Sequence, residues 1–93
     1  MRRIEYTGAF RRDFKREKAG RHRQKLDELI AAATSLLATD RPMPATYQDH
    51  PLSGNWNDHK DCHLKPDLVL IYRKPDKVTL QLVRLGSHNG LFG

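Results

Sequence analysis

The chain has 93 residues, one cysteine and a formal net charge of +6. That length allows one core and one expected domain over residues 1–93, burying about two-thirds of the unfolded surface. No apolar run approaches the roughly 20 residues that span a bilayer, and a lone cysteine cannot close an intrachain disulfide, so a soluble cytoplasmic protein without membrane contacts is expected.

The charge is uneven: residues 1–47 carry 11 Lys/Arg against 6 Asp/Glu, and residues 48–93 carry 6 against 5. A cationic first half predicts a polyanionic partner, either nucleic acid or an acidic protein. In chain order, Arg3 to Tyr6 alternates polar and apolar residues and reads as a strand, with the Thr7 hydroxyl placed to cap a helix. Phe10 and Phe14, spaced i, i+4, form the buried stripe of that helix. Arg11, Arg12, Lys15, Arg16 and Lys18 are left on its wetter faces, and it ends near Gly20. Leu26, Leu29, Ile30, Ala33, Leu36 and Leu37 predict a second helix from about Arg21 to Ala38, folded back as a helical hairpin.

After Asp40 the stretch RPMPATYQDHPLSGN holds three prolines and a glycine, which forbid a long helix. Met43, Tyr47, Leu52 and Trp56 are the expected anchors of this loop. Strands are predicted at about His59–Leu64, Leu68–Arg73 and Val78–Leu85, joined by turns at residues 65–67 and 74–77 as an antiparallel meander. The run LVLIY is apolar on both faces, as a central strand requires. The expected class is α+β in the order β-α-α-β-β-β, with two N-terminal helices on a mainly antiparallel sheet.

Chemistry is concentrated between Asp49 and Asp67, DHPLSGNWNDHKDCHLKPD, which holds three of the five histidines, the only Trp and the only Cys. In a strand, His59, Asp61 and His63 share one face, an arrangement that could grip a metal. Zinc sites use paired ligands at short spacings, which one Cys among scattered His matches poorly, so no metal and no cofactor is expected. Acid–base chemistry fits better. RNA phosphodiester cleavage needs a proton taken from the 2′-hydroxyl, a proton returned to the 5′-oxygen, and support for a doubly charged transition state. Imidazole performs either transfer near neutral pH, and a carboxylate can orient it. His50, His63, Asp67 and His88 are that inventory. Arg84, four residues before His88, is placed for a phosphate contact or a salt bridge, and Phe92 for stacking on a base or plugging the sheet. Cys62 reads as structural, His22 as solvated.

These residues resemble the YafQ-like branch of the RelE/ParE toxins, from IEYTGAFRRDFK through YQDHPLSGNW and DCHLKPDLVLIYR to GSHNGLFG. DHPL-x-G-x-W, H-x-x-PD before an apolar strand and a terminal H-x-x-LF occur in order. The resemblance implies a RelE-like fold and a type II toxin–antitoxin toxin that cuts mRNA in the ribosomal A site without a metal. It implies an active site of His50, His63, Asp67, His88 and Phe92, with Arg84 contacting substrate. It further implies that Arg11, Arg12, Lys15, Arg16 and Lys18 hold ribosomal RNA, and that a cognate antitoxin, acidic and partly disordered, neutralises the toxin in a complex built on an antitoxin dimer. A non-catalytic RNA- or ribosome-binding module and a ParE-like gyrase inhibitor are the alternatives.

Overall fold

A computed structural model describes every residue from Met1 to Gly93. Strand β1 (Arg3–Tyr6), helix α1 (Gly8–Lys18) and helix α2 (Leu26–Ala38) come first. The two-residue strand β2 (His50–Pro51) precedes β3 (Lys60–Lys65), β4 (Leu68–Arg73), β5 (Thr79–Gly86) and a terminal helix α3 (His88–Phe92). All five strands form one sheet in the order β1-β5-β4-β3-β2. The expected meander is present as β3, β4 and β5, with β1 added parallel to β5. The α+β class holds, with β2 and α3 as additions to the expected order.

One sheet face carries Cys62, Leu70, Tyr72, Leu80, Leu82 and Leu85 against Phe10, Leu26, Ala33 and Leu37 of the helices. The other face carries Val69 and Ile71, which are also fully buried. Gly86 sits opposite Val69 in the register, and a Cβ there would lie 3.4 Å from Leu91, so the tail packs against this second face. LVLIY is thus the doubly covered central strand that its composition predicts.

Helix α2 starts at Leu26, five residues later than expected. Arg21, Arg23 and Lys25 are cations that a helix N-terminus disfavours, whereas Asp27 and Glu28 suit its first turn. The freed residues 21–25 form turns instead. Helix α1 begins as expected: Thr7 Oγ1 accepts from Phe10 N at 3.0 Å, and the same hydroxyl donates to Val83 O at 2.8 Å, tying the helix start to β5.

Strand β1 covers β5 only as far as Leu82. Past that point Leu85 has lost its strand neighbour, and α1 side chains take its place. Asp13 Oδ2 accepts from Leu85 N at 3.0 Å, and Arg16 Nη2 donates to Leu85 O at 2.8 Å.

Candidate active site

The loop between α2 and β3 is pinned by Asp49. Its carboxylate accepts from Lys60 Nζ at 2.9 Å and from the Tyr72 hydroxyl. Burial and that carboxylate push the Tyr72 phenol up, so it stays a donor. Gln48 adopts left-handed backbone (φ 48°), an uncommon conformation for a non-glycine residue, and this turns the chain so that Gln48 O receives His50 Nδ1 at 2.7 Å. A carbonyl only accepts, so Nδ1 carries the proton, and the neutral ring offers Nε2 as its basic atom. Pairing of β2 with β3 sets His50 opposite Asp61.

Asp61 is the structural centre of the site. It is 2% exposed, yet its Oδ1 accepts no hydrogen bond. His50 Nδ1 lies 3.1 Å from that oxygen, a close charge contact rather than a hydrogen bond because the N–H is directed at Gln48. Burial pushes the Asp61 carboxyl up, opposed by His50, His63 and His88, in that order. All three imidazoles therefore lie within electrostatic reach of one buried carboxyl. His63 is on the same face of β3, just before a register irregularity that ends at Lys65. It lines a cleft of about 370 Å³ with Tyr47, Gln48 and Pro66.

His88 comes from the tail. Ser87 caps α3 by accepting from Gly90 N at 3.0 Å, and the His88 and Phe92 ring centroids lie 4.9 Å apart. Phe92 also meets Trp56 edge-on at 6.2 Å, and Trp56 meets His59 at 5.3 Å. His59 lies outside the strand and packs on Trp56, so it does not share the expected face with Asp61 and His63. Cys62 faces the core, where burial raises its thiol to about 12 and makes it inert.

Asp67 lies in the turn between β3 and β4 and lines a pocket with His22 and with Ser87 and Gly90, the neighbours of His88. His22 Nε2 lies 2.9 Å from its Oδ1 and Arg21 Nη1 3.1 Å from its Oδ2. Slight burial would raise its carboxyl, but the His22 hydrogen bond and Arg21 outweigh that and lower it. His22, expected to be solvated, is only 16% exposed at its side chain and belongs to this pair. The late start of α2 places it there.

The cations divide into two groups. Arg11 lies over the Tyr6 ring at 5.3 Å and remains exposed with Arg12 and Lys15. Arg16 spends Nε, Nη1 and Nη2 on Glu17, Asp13 and Leu85 O, and Lys18 pairs with Asp27 at 3.0 Å. Arg84 is ion-paired with Asp13, at 2.6 Å from Nε and 3.3 Å from Nη2. Of the expected site residues, His50, His63 and His88 lie around Asp61, Phe92 packs on His88, and Asp67 shares a pocket with the neighbours of His88; Asp61 itself is expected from the sequence only as part of a possible metal-binding face with His59 and His63. The signal for Asp61 was its position one strand alternation before His63.

The model of the YafQ family, bacterial toxin of type II toxin–antitoxin system, matches residues 2–93. The chain belongs to this family. It is 40% identical over 93 residues to the mRNA interferase toxin YafQ of Escherichia coli (strain K12), covering 100% of this chain and 98% of that protein. Among solved structures, the E. coli DinJ-YafQ toxin–antitoxin complex matches with a TM-score of 0.83 and 40% identity over 99% of this chain and 98% of that one. A metal-bound toxin from Helicobacter pylori matches with a TM-score of 0.82 and 41% identity over 99% and 100%. In the present chain no group of three or more His, Cys, Asp or Glu side chains is arranged to hold a metal ion.

Proposed function

We propose that the protein is a single-domain toxin of residues 1–93 that cleaves messenger RNA in the ribosomal A site and so stops translation. The observation that carries this reading is the convergence of three imidazoles, from a loop, a strand and a tail, on the buried Asp61 carboxyl. His50 is the group best built to take the 2′-hydroxyl proton, because its Nδ1–H is committed to Gln48 O and its Nε2 is free. The 2′-oxygen attacks the adjacent phosphorus and the bond to the 5′-oxygen breaks. A second imidazole, His63 or His88, returns a proton to that leaving oxygen. Asp61, close to His50, favours the imidazolium that forms there. Phe92 beside His88 offers a face on which a messenger base stacks.

Asp67 acts by orientation in this scheme, since its two oxygens are engaged by His22 and Arg21. Among the α1 cations, Arg11, Arg12 and Lys15 are exposed and unpaired, and they are the proposed contacts to ribosomal RNA. The chain holds no helix long and apolar enough to cross a membrane, and the proposed place of action is the cytoplasm. No proton step is routed through a metal. A cognate antitoxin is the proposed protein partner, supported by the DinJ-YafQ complex of the relative.

Primer extension on translated mRNA tests the reading. Wild type is expected to produce discrete cuts, with and without chelator at a magnesium level that keeps ribosomes intact, and His88→Ala to lower cutting about 100-fold or more. Equal cutting by both proteins removes His88 from the mechanism.

A further inference from the structure

Asp13 is a charged residue in the middle of α1 and is only 3% exposed. It accepts four hydrogen bonds: Arg84 Nε at 2.6 Å, Arg84 Nη2 at 3.3 Å, Arg16 Nη1 at 2.9 Å and Leu85 N at 3.0 Å. Closing the uncovered edge of β5 needs only the last of these, together with the Arg16 bond to Leu85 O. The bond pair to Arg84 is surplus to that task.

Arg16 is shared between two carboxylates, Asp13 and Glu17, and also donates to Leu85 O. Arg84 is paired with Asp13 alone. Its Nε and Nη2 edge is held by Asp13, its Nη1 donates to no protein atom among the hydrogen bonds formed, and its side chain is 30% exposed. A planar guanidinium gripped along one edge has its other edge fixed in direction, which a free arginine achieves only at an entropic cost.

The register places Arg84 in line with the histidine site. Arg84 pairs with Ile71, Ile71 with Asp61, and Asp61 with His50, so the four form one row across the sheet. Paired residues share a face, and two strand spacings of roughly 4.8 Å put Arg84 about 10 Å from Asp61 at the backbone. This is the face opposite the helical core, where the histidines also lie.

We infer that Asp13 is a positioning residue for the cleavage reaction, holding Arg84 with its free Nη1 toward the scissile phosphate of the messenger. The inference rests on the messenger-cleaving reading and assigns a part in it to a residue of α1 that lies outside the histidine cluster.

A double-mutant cycle in single-turnover cleavage on mRNA-programmed ribosomes tests it, with wild type, Asp13→Asn, Arg84→Ala and the double variant. Asn preserves an acceptor for Leu85 N while removing the charge that grips Arg84. Arg84→Ala is expected to lower the maximal rate about 100-fold, as loss of one transition-state donor does. Asp13→Asn is expected to lower it about 10-fold through misplacement, with the half-saturating ribosome concentration unchanged. In the Arg84→Ala background, Asp13→Asn should cost nothing further. Arg84→Lys is a second variant at this partly buried position. It keeps the charge but cannot grip Asp13 and face a phosphate together, so it should also lose about 10-fold. Equal losses from Asp13→Asn in both backgrounds, or full activity of Arg84→Lys or Arg84→Ala, overturn the inference while the cleavage reading stands. A wild type that leaves mRNA intact removes both.

Discussion

At the residue scale the site turns on a carboxylate that is buried without a hydrogen bond. Burial raises the folded-state pKa of Asp61 above its ordinary 3.8. A raised carboxyl favours folding below that raised pKa and loses the benefit as pH rises through it, so the ionised form costs stability at neutral and higher pH. Asp61→Asn is therefore expected to raise the melting temperature at pH 8 by about 4 °C, the shift that roughly 1 kcal/mol brings in a domain of this size, and to have no such effect at pH 3. The same substitution should slow mRNA cleavage, because the imidazolium formed at His50 loses its counter-charge. A stability curve by calorimetry at the two pH values checks the first half, and a lower melting temperature at pH 8 would show that the charge is compensated. Asp61 was hard to single out in the sequence because nothing local marks it. Its burial depends on β2 joining the sheet at His50, a pairing of two residues that no periodicity announces. His50, His63 and His88 were legible because imidazoles are few and their chemistry is specific.

At the scale of elements, α1, β1 and the meander were readable from apolar spacing and turn residues, with boundaries within one or two positions. The start of α2 was not, since its apolar stripe sets in only at Leu26 and the cations before it are consistent with either state until the dipole is considered. That misplacement hid His22, whose partner Asp67 is 45 residues away. The tail shows how an element can be positioned by one glycine. A Cβ at Gly86 would sit 3.0 Å from Arg16 Nη2 and 3.4 Å from Leu91, so the absence of a side chain there lets α3 lie on the sheet. Gly86→Val should lift the tail, move His88 and Phe92, and cost about 1–3 kcal/mol by overpacking. Chemical denaturation and cleavage assays together would report it, and unchanged cleavage would mean that the tail is placed by something other than this contact.

At the scale of the whole molecule, the charge asymmetry visible in the sequence persists, but folding sorts its members. On α1, Arg16 and Lys18 are ion-paired within the protein, and Arg11, Arg12 and Lys15 remain exposed and unpaired for a partner. Reversing those three to Glu should weaken ribosome association about 10-fold or more at low salt and less at high salt, since exposed charges act over about 10 Å at 0.1 M. The maximal cleavage rate at saturating ribosome should stay near wild type. Titration of cleavage against ribosome concentration at two salt levels separates these terms, and a loss confined to the maximal rate would put these residues in the chemistry instead.

His50, His63 and His88 around Asp61 are the proposed carriers of the proton transfers in messenger cleavage. The single-turnover cleavage rate of the His50→Ala/His63→Ala/His88→Ala variant on mRNA-programmed ribosomes, with its fold confirmed by circular dichroism, tests this. Loss of both general base and general acid predicts a rate lower by on the order of 10⁴ or more. A folded triple variant that cuts within tenfold of wild type would take the proton transfers away from these imidazoles.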